Sequence, residues 1–450
     1  MCGIGIFNEK YENFYKIDHR GVTSNQRVLN GLRMTHSLLP IQTYENLKIM
    51  PYEVNTGRFL LYNGEIFNFY EFGDYNSDTE YLIDFFKKKN MWDLKEINKW
   101  DGFWSICLID GDDVYAFTDP LGKKQLYYNT NGICSEIKPL LDFKQELNYK
   151  GIYGNGFLKE TYFQGVERIP PNNIMIFKDA LKKGIKNPLC YISNYFFLKN
   201  TPQKGDLKDL IEMSIKDRLI NKMDDISVFV SGGLDSTILL HNLLKLVDKD
   251  KLDVLTIQNG EEEYVEILED WYDIKIRRIP VNIEEYMNAI LVFEHPIDFG
   301  SLLPQYNLFR EAKNRVVFTG DGADELFSGY SRALIKDTQD YDVFYELPYF
   351  HHIRLDRCSM RYTKECRNPF LSTKLIRYAL QLPYSVRKGK EILKKEYLHI
   401  LPTKIITREK QPLRAGSKNE SNRTSKEAFI DIFSSGYLFN KDRRERIYSS

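Results

Sequence analysis

Three groups of residues in this 450-residue chain have types and spacings suited to chemistry. The first is a thiol at the second position. Removing an initiator Met ahead of a small residue leaves Cys2 at the terminus, where it carries its own base. An α-amino group of pKa near 8 and a thiol of about 8.5 can exchange a proton directly or through one water. A Cys that merely sits in a first strand is the alternative at this stage. The second group is Ser231-Gly232-Gly233-Leu234-Asp235-Ser236-Thr237, which follows an apolar run at 226–230 and opens a helical pattern. Glycines there let the backbone approach a phosphate, and the new helix start offers free N–H groups. Ser231, Ser236 and Thr237 add hydroxyls. Asp235 repels phosphate unless a cation bridges them, which points to Mg2+. The Gly-Lys-Ser/Thr of a Walker loop is absent. The third group is Thr319-Gly320-Asp321-Gly322-Ala323-Asp324-Glu325, where three acids in five residues follow a strand. Such acids repel one another and call for cations or a substrate ammonium.

The elements that must hold these groups differ between the two halves. The first half reads as short β-rich runs at 58–62, 103–110, 113–118 and 125–129, bounded by Gly, Asp and Asn. A helix fits 78–89, with Ser77 as N-cap, Glu80 at the capping-box position and Tyr81, Leu82, Phe85 and Phe86 as its apolar face. Asn-Pro, Asn-Thr-Pro and Lys-Gly at 187–206 read as a linker. Beyond it come a helix at 206–220, a strand at 226–230, a helix at 235–246, a strand at 253–257, a helix near 261–271 and a strand at 316–319. This alternation predicts a parallel sheet covered on both faces. The last 120 residues read as mostly helical, ending in a solvated helix end at 441–446.

Composition narrows the function class. Lys+Arg and Asp+Glu both number 63, so the formal charge is zero. That balance disfavours a nucleic-acid partner, because phosphate neutralisation supplies such affinity. The chain is 42% hydrophobic and 14% aromatic, enough to build cores. The six cysteines, at 2, 107, 134, 190, 358 and 366, form no CxxC pair, which disfavours a disulfide scaffold or zinc ribbon. No run approaches about 18 apolar residues, and the start lacks a signal-peptide pattern. The expectation is a cytoplasmic protein that handles small molecules, with no nucleic acid and no membrane; homodimerisation is left open.

The segments around Cys2 resemble those of class II glutamine amidotransferases. Cys2-Gly3-Ile4-Gly5-Ile6-Phe7 is followed in family order by His19-Arg20-Gly21, Asn63-Gly64-Glu65, Ser77-Asp78, Asp119-Pro120-Leu121-Gly122 and Ser135-Glu136-Ile137-Lys138. The resemblance implies glutamine hydrolysis through a thiol-bound tetrahedral intermediate. The Asn63 side-chain NH2 and the Gly64 backbone N–H suit its oxyanion hole, each worth about 3 kcal/mol. Glu65 and Asp78 suit the α-ammonium of glutamine. An Asn-Gly pair is otherwise an ordinary hairpin turn. One position departs from the pattern. The family has Arg two residues after a strand His, to clamp the glutamine carboxylate; here His36-Ser37-Leu38 puts Leu38 there. Arg33 is the nearest substitute.

The glycine loop is similar to the PP-loop of ATP pyrophosphatases, which adenylate a substrate. Val230 and Ile257 fall where that family cradles adenosine, although such residues are more often plain core. The segment from Thr319 to Tyr330 resembles the acidic element of asparagine synthetases, with Ser328-Gly329 in place of Gly-Gly. By resemblance Asp324 joins Asp235 on Mg2+, Asp321 lies at the acid linked to forming the adenylate, and Glu325 faces the substrate amino group. Asp356-Arg357-Cys358-Ser359-Met360, then Glu365-Cys366-Arg367-Asn368-Pro369-Phe370-Leu371, Lys390 near the adenylate, and Arg408-Glu409-Lys410-Gln411-Pro412 continue the family order. The implied fold is an α+β N-terminal-nucleophile domain (αββα, four layers, 2–190) followed by an α/β parallel-sheet ATP-pyrophosphatase domain (205–450). The implied reaction is the amidation of aspartate by ATP and glutamine, with ammonia crossing a buried channel. Another carboxylate acceptor (a peptide, sugar or secondary metabolite), use of ammonia alone, or nucleotide binding without turnover are the alternatives.

Overall fold

The computed structural model describes residues 2–11, 13–41, 48–88, 92–142, 145–154, 161–194, 203–219, 225–258, 262–296, 299–408 and 425–434. The tail at 441–446 and the middle of the segment read as a linker lie outside them.

The first half builds two six-stranded sheets, antiparallel in their paired strands. In the first, the Cys2–Asn8 strand lies between Leu32–Leu38 and Gly132–Cys134. In the second, Arg58–Ile66 pairs with Gly102–Asp110, which pairs in turn with Asp113–Thr118. Strand periodicity explains how they stack. Ile4, Ile6, Leu32 and Met34 of one sheet share a core with Phe59, Leu61, Cys107, Ile109, Val114 and Ala116 of the other. These are alternate residues on each strand, so the two inner faces interdigitate. Carrying the same parity toward the sheet ends points Cys2, His36 and Leu38 from one side at Asn63, Glu65, Phe103 and Ser105 from the other. The helix Asp78–Lys87 covers the outer face of the second sheet. Ser77 caps it by accepting from the Glu80 N–H at 3.1 Å, and Tyr81, Leu82, Phe85 and Phe86 are buried, as its pattern predicts.

The second half is a five-stranded parallel sheet in the order Arg277–Ile279, Leu252–Ile257, Ile226–Phe229, Val316–Phe318, Glu365–Arg367. The chain winds outward in one direction from Ile226–Phe229, then returns to add Val316–Phe318 on its other side. That reversal opens a crevice at the C-terminal strand ends, where open α/β sheets bind ligands. Ser231 and Thr319 both leave the sheet at this crevice.

Two local expectations change. Leu189–Ser193 is a strand on the edge of the second sheet rather than linker. Asn63-Gly64 makes no hairpin: it lies within the Arg58–Ile66 strand, opposite Ser105 and Trp104.

Candidate functional site

The Cys2 thiol is buried at one end of the sandwich. Burial pushes its pKa up, but the charge of His36, the positive chain terminus, a His36 hydrogen bond and the Leu39 backbone outweigh that and hold it at about 7. A substantial thiolate fraction near neutral pH is what a nucleophile needs. The Cys2 N–H donates to Asn63 Oδ1 at 2.9 Å. The Asn63 NH2, expected to face an oxyanion, donates to Ser105 Oγ at 3.3 Å. Asn63 Oδ1 thus holds the Cys2 nitrogen, while its NH2 gives one of its two N–H groups to Ser105 and has a second for an oxyanion. Gly64 follows on the same strand.

Asp78 stands at the start of its helix with its carboxylate buried. It accepts from Tyr62 OH at 2.7 Å and from the Ile66 N–H at 3.0 Å. Burial nonetheless raises its pKa. Glu65 is held well above the carboxylate range by burial and by Glu365 and Asp78; Arg367 opposes this only in part. A buried group short of positive charge is where a substrate ammonium is stabilised. Leu38 lies directly across from Cys2 in the register. Arg33 does not replace the missing clamp. It is five residues away along its strand, on the opposite face, and donates to the Tyr11 carbonyl.

At the crevice of the parallel sheet the glycine loop is tied to itself. The Ser231 N–H donates to Ser236 Oγ at 3.1 Å, the Gly233 N–H donates to Ser231 Oγ at 3.3 Å, and Thr237 Oγ1 donates to the Gly233 carbonyl at 2.8 Å. Gly232 has φ +63° and packs so closely on Tyr264 that a Cβ would stand 2.5 Å from the Tyr264 Cβ, so both conformation and space require glycine. Arg408 donates to the Ser231 carbonyl at 2.8 Å and stacks on Tyr264; residues 409–412 lie outside the described part. Val230 and Ile257 are buried in two different apolar cores.

Lys390 is the centre of this site. Its Nζ lies 2.5 Å from Asp235 Oδ2 and 2.5 Å from Asp324 Oδ1. The two carboxylates hold its pKa above the ordinary value despite burial. Lys390 is therefore no solvated helix lysine. Its backbone is left-handed at φ +62° and places the side chain against Gly329, where a Cβ would stand 2.1 Å from Asp324 Oδ1 and from Lys390 Cε. The preceding Ser328, where the family has Gly, is itself left-handed at φ +52°; its buried Oγ accepts from Arg387 at 2.8 Å. Asp235 and Asp324 already converge on one cation. Mg2+ is usually held by one or two carboxylates together with substrate phosphates, so this donor pair fits it.

Thr319 donates to Asp321 at 2.6 Å and accepts from Asn368 at 2.6 Å, while Gly320 packs against the start of the Leu234–Leu246 helix. Glu325 is buried and accepts from Tyr330 OH. His351 stands 3.5 Å from Glu325 and 3.2 Å from Glu346. No sequence pattern singled out His351; only the approach of its helix to Tyr330 brings it in.

The two sites share one buried interface. Arg20 donates to the Cys2 carbonyl, to Glu136 at 2.8 Å, and through two nitrogens to Asp356 at 2.9 and 3.0 Å. Asp356 also pairs with Lys124 and Arg357. Arg357 reaches Glu294 at 3.0 Å, and Lys138 joins Glu294 to Glu136. Burial alone would raise the Asp356 carboxyl, but Arg20 and Lys124 hold it well below the usual range. The His-Arg-Gly, Ser-Glu-Ile-Lys and Asp-Arg-Cys-Ser-Met segments, read separately in the sequence, are thus partners across the domain boundary.

A family model described as glutamine amidotransferase domain matches residues 1–187, and one described as asparagine synthase matches 206–343 and 336–449. Among curated relatives, a putative glutamine-hydrolyzing asparagine synthetase 2 of Methanocaldococcus jannaschii is 28% identical over 60% of this chain and 58% of its own length. The putative asparagine synthetase 1 of the same organism is 25% identical over 80% of this chain and 70% of its own. The glutamine-hydrolyzing asparagine synthetase of Mus musculus is 26% identical over 81% and 73%. The chain therefore spans little more than half of the first of these relatives and about three quarters of the last. With an asparagine synthase match across more than half its length, behind an amidotransferase domain, the chain belongs to the asparagine synthase family.

Proposed function

We propose that this chain amidates a carboxylate, with aspartate as first choice, through an acyl-adenylate, using ammonia released from glutamine at Cys2. The observation that carries the reading is the convergence of Asp235, Asp324 and Lys390 at the reversal point of the parallel sheet.

At the thiol end, loss of the initiator Met makes the Cys2 nitrogen an amine, and Asn63 Oδ1 holds it beside the sulfur. The Cys2 amine takes the thiol proton, the thiolate attacks the glutamine amide carbon, and that proton passes to the departing nitrogen, which leaves as ammonia; water then adds to the thioester, releasing glutamate and returning the thiol. Glu65 and Asp78 draw in the α-ammonium. At the other end, the glycine loop presents backbone N–H groups to ATP phosphates. A carboxylate oxygen of the acceptor displaces pyrophosphate from the α-phosphorus. Lys390 supplies positive charge as negative charge builds on the phosphate oxygens. Mg2+ held by Asp235 and Asp324 would supply further charge neutralisation at the leaving pyrophosphate. Asp321, fixed by Thr319, faces the reacting carboxylate, and Glu325 is the candidate for the acceptor amino group.

A second reading, an acceptor other than aspartate, is favoured by one observation. Glu325 is already bonded to Tyr330 and stands beside His351, so it is partly committed before an amino group arrives. The test is pyrophosphate release with ATP, Mg2+, ammonium and a panel of carboxylates. Release with aspartate, together with asparagine, supports the first reading; release only with another acid supports the second; no release with any acid contradicts both.

A further inference from the structure

At the contact of the two halves lies a cavity of about 30 Å3, room for one molecule the size of ammonia or water. Its lining comes from both domains and includes Phe103, Lys123, Arg218, His352 and Asn368. The thiol site reaches it along an apolar path. Leu39, whose backbone touches the Cys2 thiol, packs in one cluster with Phe67, Phe103 and Met360. The adenylation site reaches it through Asn368, which donates to Thr319 Oγ1, the donor to Asp321. Lys123 stands where these two approaches meet.

Its setting is unusual for a lysine. The residue is only 7% exposed, and its Nζ lies 4.0 Å from the Phe103 ring centroid. Among the described residues no carboxylate comes within salt-bridge distance of it. The neighbours are accounted for. Asp119 is saturated by the N–H groups of Trp104, Leu121, Lys123 and Lys124. Glu365 is paired with Arg367, Lys124 with Asp356, and Arg218 with Asp101. His352 bonds to the Leu121 carbonyl, and Cys366 is a buried thiol.

We propose that Lys123 is a proton-controlled valve on the passage of ammonia between the two sites, closed when its amine is charged and open when it is neutral. This rests on the function proposed above. A charged ε-ammonium hands a proton to arriving ammonia: one N–H bond breaks on lysine and one forms on ammonia. The products are a neutral amine, which below its pKa regains a proton from solvent water before the next ammonia arrives, and an ammonium ion with no lone pair for attack. A neutral amine has no such proton to give and lets ammonia through. Burial, helped by Lys124 and Arg218, pushes the Lys123 pKa down to about 7, although Cys366 and Glu365 act the other way. The valve therefore turns near neutral pH.

The experiment measures asparagine formed per glutamate released, for the full chain supplied with glutamine, ATP, Mg2+ and aspartate, across about pH 6 to 8. The wild-type ratio should fall about ten-fold from the upper to the lower pH, as one titrating group requires. In Lys123→Met, which keeps the length without the charge, the ratio should stay high and flat. In Lys123→Arg the guanidinium is too weak an acid to give a proton to ammonia, so the ratio should again stay high and flat; a low ratio there overturns proton transfer as the closing step. Both variants should still release glutamate, which reports that they fold. A wild-type ratio that is flat, or that changes with pH as Lys123→Met does, overturns the valve. Absence of glutamate or pyrophosphate release from the wild type at every pH overturns the underlying function instead, and the valve with it.

Discussion

Around Glu65 and Asp78, at the thiol end, the chain keeps positive charge scarce. Glu65 and Asp78 lie buried with raised pKa values, and Leu38 stands where related enzymes place an arginine. Around Asp235 it does the reverse: Lys390 sits between two carboxylates, and Arg408 braces the loop from behind. On the proposed function, the first site receives a cation as part of its substrate, whereas the second already holds Lys390 and would exchange its contacts when phosphate and metal come in. The contrast teaches that the two ends are tuned by opposite deficits: the thiol end lacks a grip on a carboxylate, and the phosphate end lacks only its ligands.

The largest expected effect is at the nucleophile. Cys2→Ala should abolish glutamine-dependent product while leaving ammonium-dependent product intact; equal loss with both nitrogen sources would remove Cys2 from its role. Next comes the cation pair. Asp235→Asn leaves Lys390 with one carboxylate and should lower pyrophosphate release by about 100-fold, as lost electrostatic stabilisation typically does. Unchanged release would take Asp235 out of the site.

The deficit at the thiol end offers a gain instead of a loss. Leu38→Arg restores a charge-assisted partner across from Cys2 and should lower the KM for glutamine roughly ten-fold with little change in kcat. A KM that does not move would mean that the carboxylate is held elsewhere. The smallest effect is on titration. Alkylation of Cys2 should rise through a midpoint of about 7, since the thiolate forms above its lowered pKa. A midpoint near that of an ordinary thiol would show that His36 exerts no hold on it.

The motifs were legible because each is local. Cys2, the Ser231–Ser236 loop and the acids from Asp321 to Glu325 announce themselves over a few residues, and the Asp78–Lys87 helix carries both its cap and its apolar face in its own sequence. What depends on distant pairing was not legible. Nothing near Arg20 points to Asp356, 336 positions away, yet their bidentate contact joins the domains. Lys123 reads as one of two adjacent lysines; only the closing of the interface buries it beside Phe103. Strand register also sets the partners of Asn63, the Cys2 N–H for its Oδ1 and Ser105 for its NH2, and the Asn-Gly pair by itself names neither. The Leu189–Ser193 strand was hidden by the Pro and Gly residues flanking it, because an edge strand tolerates such neighbours.

The most direct test of the account follows nitrogen. The full chain is incubated with glutamine labelled at its amide nitrogen, with ATP, Mg2+, aspartate and an excess of unlabelled ammonium. The account predicts asparagine labelled well above the ammonium pool in solution, with one pyrophosphate per asparagine. Asparagine labelled no more than the ammonium pool in solution, or labelled ammonia in solution with no amide product, would contradict it.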